Sequence, residues 1–273
     1  MAQKPYKKFM NLKNIIVGIE GLKAKGNLDV EVNNISTDSR SIKQGDMFIA
    51  IKGFDTDGHK YIGSALQNGA KVILIDESEL KNVINIIPQD VVLITSPDSR
   101  IATAFIACNY YDNPSRKMQV IGVTGTKGKT TTTFMIKSIL EKQGIKTGLI
   151  GTIAAYSGSK KLEDSDRTTP DSIKLQSLFA QMVKDGCTAC VMEVSSQSLK
   201  LHRVDGTDFN IGIFTNFSED HISEKEHPDM EDYFNSKVKL FQMCKYGFIN
   251  VDDINTIRVP KLAPNCIFRT YGI

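Results

Sequence analysis

The run Gly125-Thr126-Lys127-Gly128-Lys129-Thr130-Thr131 holds the residue types that bind a phosphorylated nucleotide. Glycines let successive backbone N–H groups converge on an anion, and a helix starting at the lysine adds the partial positive charge of its N-terminus. In such a loop Lys129 reaches the β- and γ-phosphates of ATP, and the Thr130 hydroxyl turns to Mg²⁺. The general pattern G-x-x-x-x-G-K-[ST] wants its first glycine at position 123, where this chain has Val123. Its glycines stand at 122 and 125 instead.

Three further groups suit phosphate or metal chemistry. Ala189-Cys190-Val191-Met192 is strand-like and ends at Glu193, followed by Val194-Ser195-Ser196. An acid leaving the C-terminal end of a strand near a phosphate loop is where nucleotide-hydrolysing folds place a Mg²⁺ ligand. Phe214-Thr215-Asn216 ends another apolar run, shortly before Asp220-His221. A lone histidine is more often structural, and its strand-end position is what singles out His221. Asp229 to Phe241 has helical spacing and carries Lys237. Glu226 and His227, in Glu224-Lys225-Glu226-His227-Pro228, are expected in a solvated loop. Cys187-x-x-Cys190 has no second pair at zinc spacing, and Cys190 falls inside a strand, so it reads as a small buried hydrophobe.

These segments resemble the ATP-dependent Mur ligases and their relatives the folylpolyglutamate synthetases. The loop has their shorter form, G-T-x-G-K-T. Glu193 to Arg203 is similar to E-V-S-S-H-[AG]-L-x-x-x-R, with Gln197 replacing the commoner histidine and Leu201 standing where many members carry a substrate-touching glutamine. Thr215 to His221 resembles T-N-x-x-x-D-H, and Met230 to Phe241 resembles M-E-x-Y-x-x-[AS]-K-x-x-L-F. The resemblance implies Lys129, His221 and Lys237 as catalytic residues. It implies Thr130, Glu193, His221 and Lys237 as Mg²⁺ ligands, Lys237 after carbamylation by CO₂ has turned a cation into an anion. Thr168, Thr169, Ser195 and Arg203 would meet the acceptor peptide. Thr37-Asp38-Ser39-Arg40 and Gly53-Phe54-Asp55-Thr56-Asp57-Gly58 are similar to loops of the members that attach the third peptide residue. There Thr37, Ser39, Phe54, Asp55 and Thr56 would receive a UDP group.

The implied reaction joins L-lysine or diaminopimelate to UDP-N-acetylmuramoyl-L-alanyl-D-glutamate through an acyl phosphate, in peptidoglycan precursor synthesis. ATP is the co-substrate, Mg²⁺ the cofactor, and a cytoplasmic monomer the expected form. A typical member has a third domain that completes the adenine pocket and selects the diamino acid. The resemblance covers the N-terminal and central parts, so an incomplete form is expected. Two rivals stand beside this reading. A folylpolyglutamate synthetase lacks the UDP-binding domain and is disfavoured by Thr37 to Arg40 and Thr168-Thr169-Pro170. A non-catalytic UDP-sugar- and ATP-binding fragment is the other.

The elements that must position these residues point to an α/β protein. Residues 1–114 read as an N-terminal α/β domain, the UDP-binding one by resemblance. Residues 115–273 read as a phosphate-loop domain with a mostly parallel sheet flanked by helices. Short β-branched runs at 71–76 and 90–95 are strand-like, and Ser99 to Tyr111 is helical with Ile101, Phe105 and Cys108 on one face. Asp112-Asn113-Pro114-Ser115 breaks the chain. Thr131 to Gln143 is expected as a helix turning Phe134, Met135, Ile139 and Leu140 to the sheet, and Tyr156 to Asp166 as a loop. Thr169 and Pro170 suit a cap and first turn for a helix from Ser172. The 273 residues allow two cores. Their 34 Lys+Arg are interspersed with 31 Asp+Glu, which gives nucleic-acid binding no support. No stretch approaches the ~20 apolar residues of a membrane span, so no membrane partner is expected.

Overall fold

The computed structural model describes residues 9–54, 56–223 and 226–273. The chain divides between Tyr110 and Tyr111 into two compact units.

The first unit is built on a five-stranded sheet. Its strands are β1 (Lys23–Lys25), β2 (Ile35–Ser36), β3 (Met47–Ile49), β4 (Val72–Asp76) and β5 (Val92–Ser96), with helices α1 (Ile62–Gln67) and α2 (Ser99–Tyr110) between and after them. The order is β1-β5-β4-β3-β2, parallel throughout except for β1 at its edge. The central strands are continuous apolar runs because both faces are covered. Phe48, Ile62, Ala65, Ile73 and Ile75 share one core. On α2 the buried stripe runs through Ala102, Thr103, Ile106 and Tyr110, while Phe105 is 40% exposed. Of the expected face through Ile101, Phe105 and Cys108, Cys108 is buried, whereas the places expected of Ile101 and Phe105 are taken by the next residues, Ala102 and Ile106.

The second unit holds an eight-stranded sheet. Its elements are β6 (Gln119–Thr124), α3 (Lys129–Lys142), β7 (Thr147–Ile150), β8 (Ala154–Ser157), β9 (Lys160–Asp164), α4 (Ser172–Lys184), β10 (Ala189–Glu193), α5 (Ser196–Lys200), β11 (Phe209–Phe214), α6 (Met230–Gln242), β12 (Cys244–Asn250) and β13 (Ile267–Tyr271). The order is β9-β8-β7-β10-β6-β11-β12-β13, parallel from β7 onward, with an antiparallel hairpin at the β9 edge. The chain winds outward from β6 to β7, returns to β10, then crosses to β11 on the other side of β6. That reversal opens a crevice at the carboxyl ends of β10, β6 and β11, where open parallel sheets bind ligands. One face packs Val120, Cys190, Met192, Phe209 and Phe214 with Leu175, Phe179, Phe234 and Phe241 from α4 and α6. The other packs Ile121, Val123 and Val191 against Ile136 and Leu140 of α3.

Three expectations change here. On α3, Phe134, Met135 and Ile139 are 37%, 60% and 60% exposed. The stripe facing the sheet is instead Thr133, Ile136, Lys137 and Leu140, and Lys137 covers it with its aliphatic stem while its amine pairs with Glu141 at 2.6 Å. The expected loop 156–166 is largely the β8–β9 hairpin, turning at Gly158, whose φ is 60°. The cap of α4 is Asp171, whose carboxylate accepts the Lys174 N–H at 3.1 Å, rather than Thr169. The five cysteines are free and buried, with Cys190 inside β10 as expected. Among the described residues no helix is long and apolar enough to cross a membrane.

Candidate functional site

The glycine-rich run leaves the end of β6 and is held in shape by the segment after β11. Asn216 clamps it like a piece of ladder. Its carbonyl accepts from Thr126 N–H at 2.9 Å, its side-chain oxygen from Lys127 N–H at 2.9 Å, and its amide donates to Lys127 O at 3.0 Å. Thr215 Oγ1 adds a bond to Lys127 O at 2.7 Å, and Ser218 N–H donates to Thr126 Oγ1 at 3.0 Å. Gly125 has φ of 142°, and a Cβ there would lie 2.0 Å from Thr215 Oγ1, so only glycine permits this approach. Gly128, with φ of 83°, precedes α3, and Thr131 is exposed in its first turn.

Thr130, at the start of α3, meets Glu193, at the end of β10. Its hydroxyl lies 3.0 Å from both carboxylate oxygens. Glu193 is 1% exposed and also accepts Thr152 N–H at 2.9 Å and Thr152 Oγ1 at 3.2 Å. Strand register explains the meeting: Glu193 pairs with Val123 across β10–β6, two residues before Gly125 opens the loop. Hydroxyl and carboxylate form a hard oxygen pair of the kind a small divalent cation takes beside phosphate oxygens. Among the described residues no three His, Cys, Asp or Glu side chains converge into an all-protein cage.

Two lysines share one carbonyl. Lys129 Nζ donates to Gly125 O at 2.9 Å and Thr126 O at 3.0 Å, and Lys237 Nζ, from α6, donates to the same Gly125 O at 3.1 Å. Lys237 is 1% exposed and lies 4.2 Å over the Tyr233 ring. Burial, then the neighbouring Lys129 charge, hold its pKa well below the usual lysine value. Burial also lowers Lys129, against the pull of Glu193 and Asp220.

His221 projects from the segment after β11 with φ of 58°, an uncommon conformation for a residue with a side chain. Its Nδ1 lies 2.9 Å from Glu226, and its ring centroid 5.8 Å from that of Tyr233. Tyr233 therefore neighbours both His221 and Lys237, but the polar partners of His221 are Glu226 and Asp220 on its own loop, not Glu193. Asp220 also pairs with exposed Lys127 at 3.0 Å. His227 corrects the expected solvated loop: it is 0% exposed, bonded to Asp232 at 2.6 Å and Ser196 at 2.9 Å. Burial in sequence-distant company explains the difference, because neither partner is adjacent in the chain.

The acceptor-side residues gather around Glu193. Thr169 is buried; its hydroxyl donates to Glu193 O at 3.0 Å and accepts Ser195 N–H at 3.0 Å. Thr168 Oγ1 lies 3.1 Å from Thr152 Oγ1. Ser195 caps α5 by accepting Ser198 N–H at 3.2 Å, and Arg203 Nη1 reaches Thr169 O at 3.4 Å. In the first unit, the loops holding Thr37, Ser39, Phe54 and Thr56 leave the carboxyl ends of the parallel neighbours β2 and β3. Thr37, Phe54 and Thr56 are exposed and Ser39 is buried. Thr56 Oγ1 lies 3.2 Å from Tyr61 OH, while Asp55 falls outside the described residues. The end of this second loop is anchored by His59, whose ring lies 2.6 Å from Asp57 and accepts Asp76 N–H at 3.1 Å. Reading the sequence alone missed Asn216 as a clamp, the Thr152 contact and His227; only Asn216 had a visible signal, its place beside Thr215 at a strand end.

Comparison with known proteins finds matches in both units of the chain. The Mur ligase family catalytic domain matches residues 31–110 and the Mur ligase middle domain residues 123–273. A UDP-N-acetylmuramoyl-L-alanyl-D-glutamate–2,6-diaminopimelate ligase of Clostridium tetani is 48% identical over 97% of this chain and 53% of its own length. The protein of the same name from Clostridium botulinum is 49% identical over the same shares. A solved structure of a ligase so named superposes with a TM-score of 0.77 at 25% identity, covering 97% of this chain and 53% of that one. The chain thus spans about half the length of the relatives it matches. Because the middle-domain match alone extends over more than half of the sequence and takes in the loop, Glu193, His221 and Lys237, the chain belongs to the Mur ligase family.

Proposed function

We propose that this chain carries the nucleotide-sugar- and ATP-binding parts of a cytoplasmic ligase that adds diaminopimelate to UDP-N-acetylmuramoyl-L-alanyl-D-glutamate. The observation that carries the reading is the pairing of Thr130 with Glu193 at 3.0 Å, at the mouth of a loop whose Lys129 is aimed inward. The relatives' names supply the diamino acid. The N-terminal unit takes the UDP group with Thr37, Ser39 and the turn from Phe54 to Thr56.

In the reaction an oxygen of the D-glutamate side-chain carboxylate attacks the γ-phosphorus of ATP and ADP leaves. The amine of the diamino acid then attacks the acyl carbon, loses a proton, and phosphate departs. Thr130 and Glu193 would hold Mg²⁺, with His221 and a carbamylated Lys237 as candidates for a second ion. When bound, Mg²⁺ neutralises the charge of two anions brought together. Lys129 neutralises further phosphate charge, while Thr168, Thr169, Ser195 and Arg203 orient the acceptor, so catalysis is mainly electrostatic and positional. Lys237 suits carbamylation: a buried amine pushed toward its neutral form has the lone pair that adds to CO₂, releasing one proton.

Calorimetric titration tests this. The chain should bind both the UDP-muramoyl dipeptide and Mg-ATP, and Lys129→Ala should weaken ATP by about 10–100-fold, the equivalent of one charge-assisted contact of roughly 1.5–3 kcal/mol. Binding of neither ligand, or unchanged ATP affinity in the variant, would sink the reading.

A further inference from the structure

His227 stands outside every role assigned above, yet it is fully buried and joins three segments. Its Nδ1 lies 2.6 Å from Asp232 on α6, and its Nε2 lies 2.9 Å from the Ser196 hydroxyl at the start of α5. Its ring packs on Tyr233, with centroids 5.0 Å apart. Asp232 also accepts from Lys200 Nζ at 2.7 Å, and the same amine donates to Glu226 O at 3.0 Å, closing the network onto the loop of His221. Burial lowers the pKa of His227, favouring the neutral ring. A neutral ring that donates from Nδ1 to a carboxylate must accept the Ser196 proton at Nε2, so every polar atom of the histidine is committed.

The bond order Ser196–His227–Asp232 matches that of a hydrolytic triad. Ser196 is 4% exposed and His227 0%, however, so no substrate carbonyl reaches the hydroxyl. The arrangement is a strut. Ser196 lies three residues beyond Glu193, Asp232 five residues before Lys237 on the same helix, and Glu226, beside His227, holds the His221 ring at 2.9 Å.

Building on the ligase reading, we propose that His227 is a positioning residue for the metal centre, fixing Glu193, His221 and Lys237 relative to one another through Ser196, Glu226 and Asp232. Groups that orient metal ligands from behind typically govern metal affinity by 10–100-fold.

The test is Mn²⁺ titration, followed by electron paramagnetic resonance, of the chain with a non-hydrolysable ATP analogue. His227→Gln and Ser196→Ala should each weaken Mn²⁺ by about tenfold, with circular dichroism unchanged. A purely structural histidine would lower the melting temperature and leave the affinity of the folded protein alone, and that result overturns the proposal. Should His227→Gln fail to fold, Ser196→Ala decides: it removes only the link toward Glu193, and wild-type affinity there refutes the strut. Wild-type protein that takes up no Mn²⁺ removes the ligase reading and this proposal together, whereas tight wild-type binding with unaffected variants removes this one alone.

Discussion

Gly151 offers the most selective way to disturb Glu193. It follows β7, and a Cβ built on it would lie 2.3 Å from Glu193 Oε1 and 3.0 Å from the carboxyl carbon. Its φ is not positive, so the backbone accepts alanine and the whole cost falls on the carboxylate. To restore van der Waals contact the carboxylate must retreat by roughly 1 Å. That takes it out of hydrogen-bond range of Thr152 N–H, now at 2.9 Å, or of Thr130 Oγ1, now at 3.0 Å. Losing one charge-assisted bond costs roughly 1.5–3 kcal/mol, which for a protein of this size lowers the melting temperature by about 3–12 °C. Mn²⁺ affinity in the presence of an ATP analogue should fall by roughly 10–100-fold, since a displaced carboxylate no longer shares the cation with Thr130. Calorimetry and Mn²⁺ titration of Gly151→Ala measure both. A variant that melts with the wild type and binds Mn²⁺ equally would refute the assignment of Glu193 to the metal.

Two further outcomes follow from other residues. Lys237 is held below its ordinary pKa, so between its folded value and 10.5 the unfolded chain binds more protons than the native one, and stability rises with pH across that window. Lys237→Met should remove the share of this rise that Lys237 supplies, at most about 1.4 kcal/mol per pH unit, leaving that of Lys129, and its advantage over the wild type should be greatest at the acid end; urea unfolding in CO₂-free buffer from pH 6 to 10 reads the slope, and parallel curves for the two proteins would contradict the burial argument. Gly63, inside α1, has open space where a Cβ would go, so Gly63→Ala should stabilise the chain by about 0.5–1 kcal/mol in thermal unfolding and leave nucleotide binding unchanged; a loss of stability would show that the position has a packing role.

The parts legible in the sequence are those whose signal is local. Glycines, lysine and threonine in one short run mark a phosphate loop, and apolar runs ending in Glu193 or Thr215 mark strand ends facing the same crevice. His227 was illegible because its partners, Ser196 and Asp232, declare nothing by proximity in the chain, and a histidine among charges looks solvated. The β8–β9 hairpin was hidden for a different reason: Lys160, Lys161 and Glu163 make its outer strand polar, as an edge strand is when it must not recruit another chain. The inward stripe of α3 was misread because Thr133 and Lys137 occupy places where pattern reading looks for hydrocarbon, while Met135 and Ile139 lie outside.

The central position of β6 has a consequence for how the molecule comes to exist. The strand that bears the loop is made before both of its neighbours, β10 and β11, and Asn216, which clamps the loop, comes later still. During synthesis from the N-terminus, the anion cradle therefore emerges without flanks and without its brace, and roughly ninety residues must follow before the brace can close. Such long-range pairing makes assembly of the crevice a late, slow event in folding, later than the local formation of α3 or the β8–β9 hairpin. Nucleotide supplied during refolding would find its pocket only after β11 has docked, so its stabilising effect belongs to the unfolding rate of the finished unit more than to the rate at which the chain first collapses.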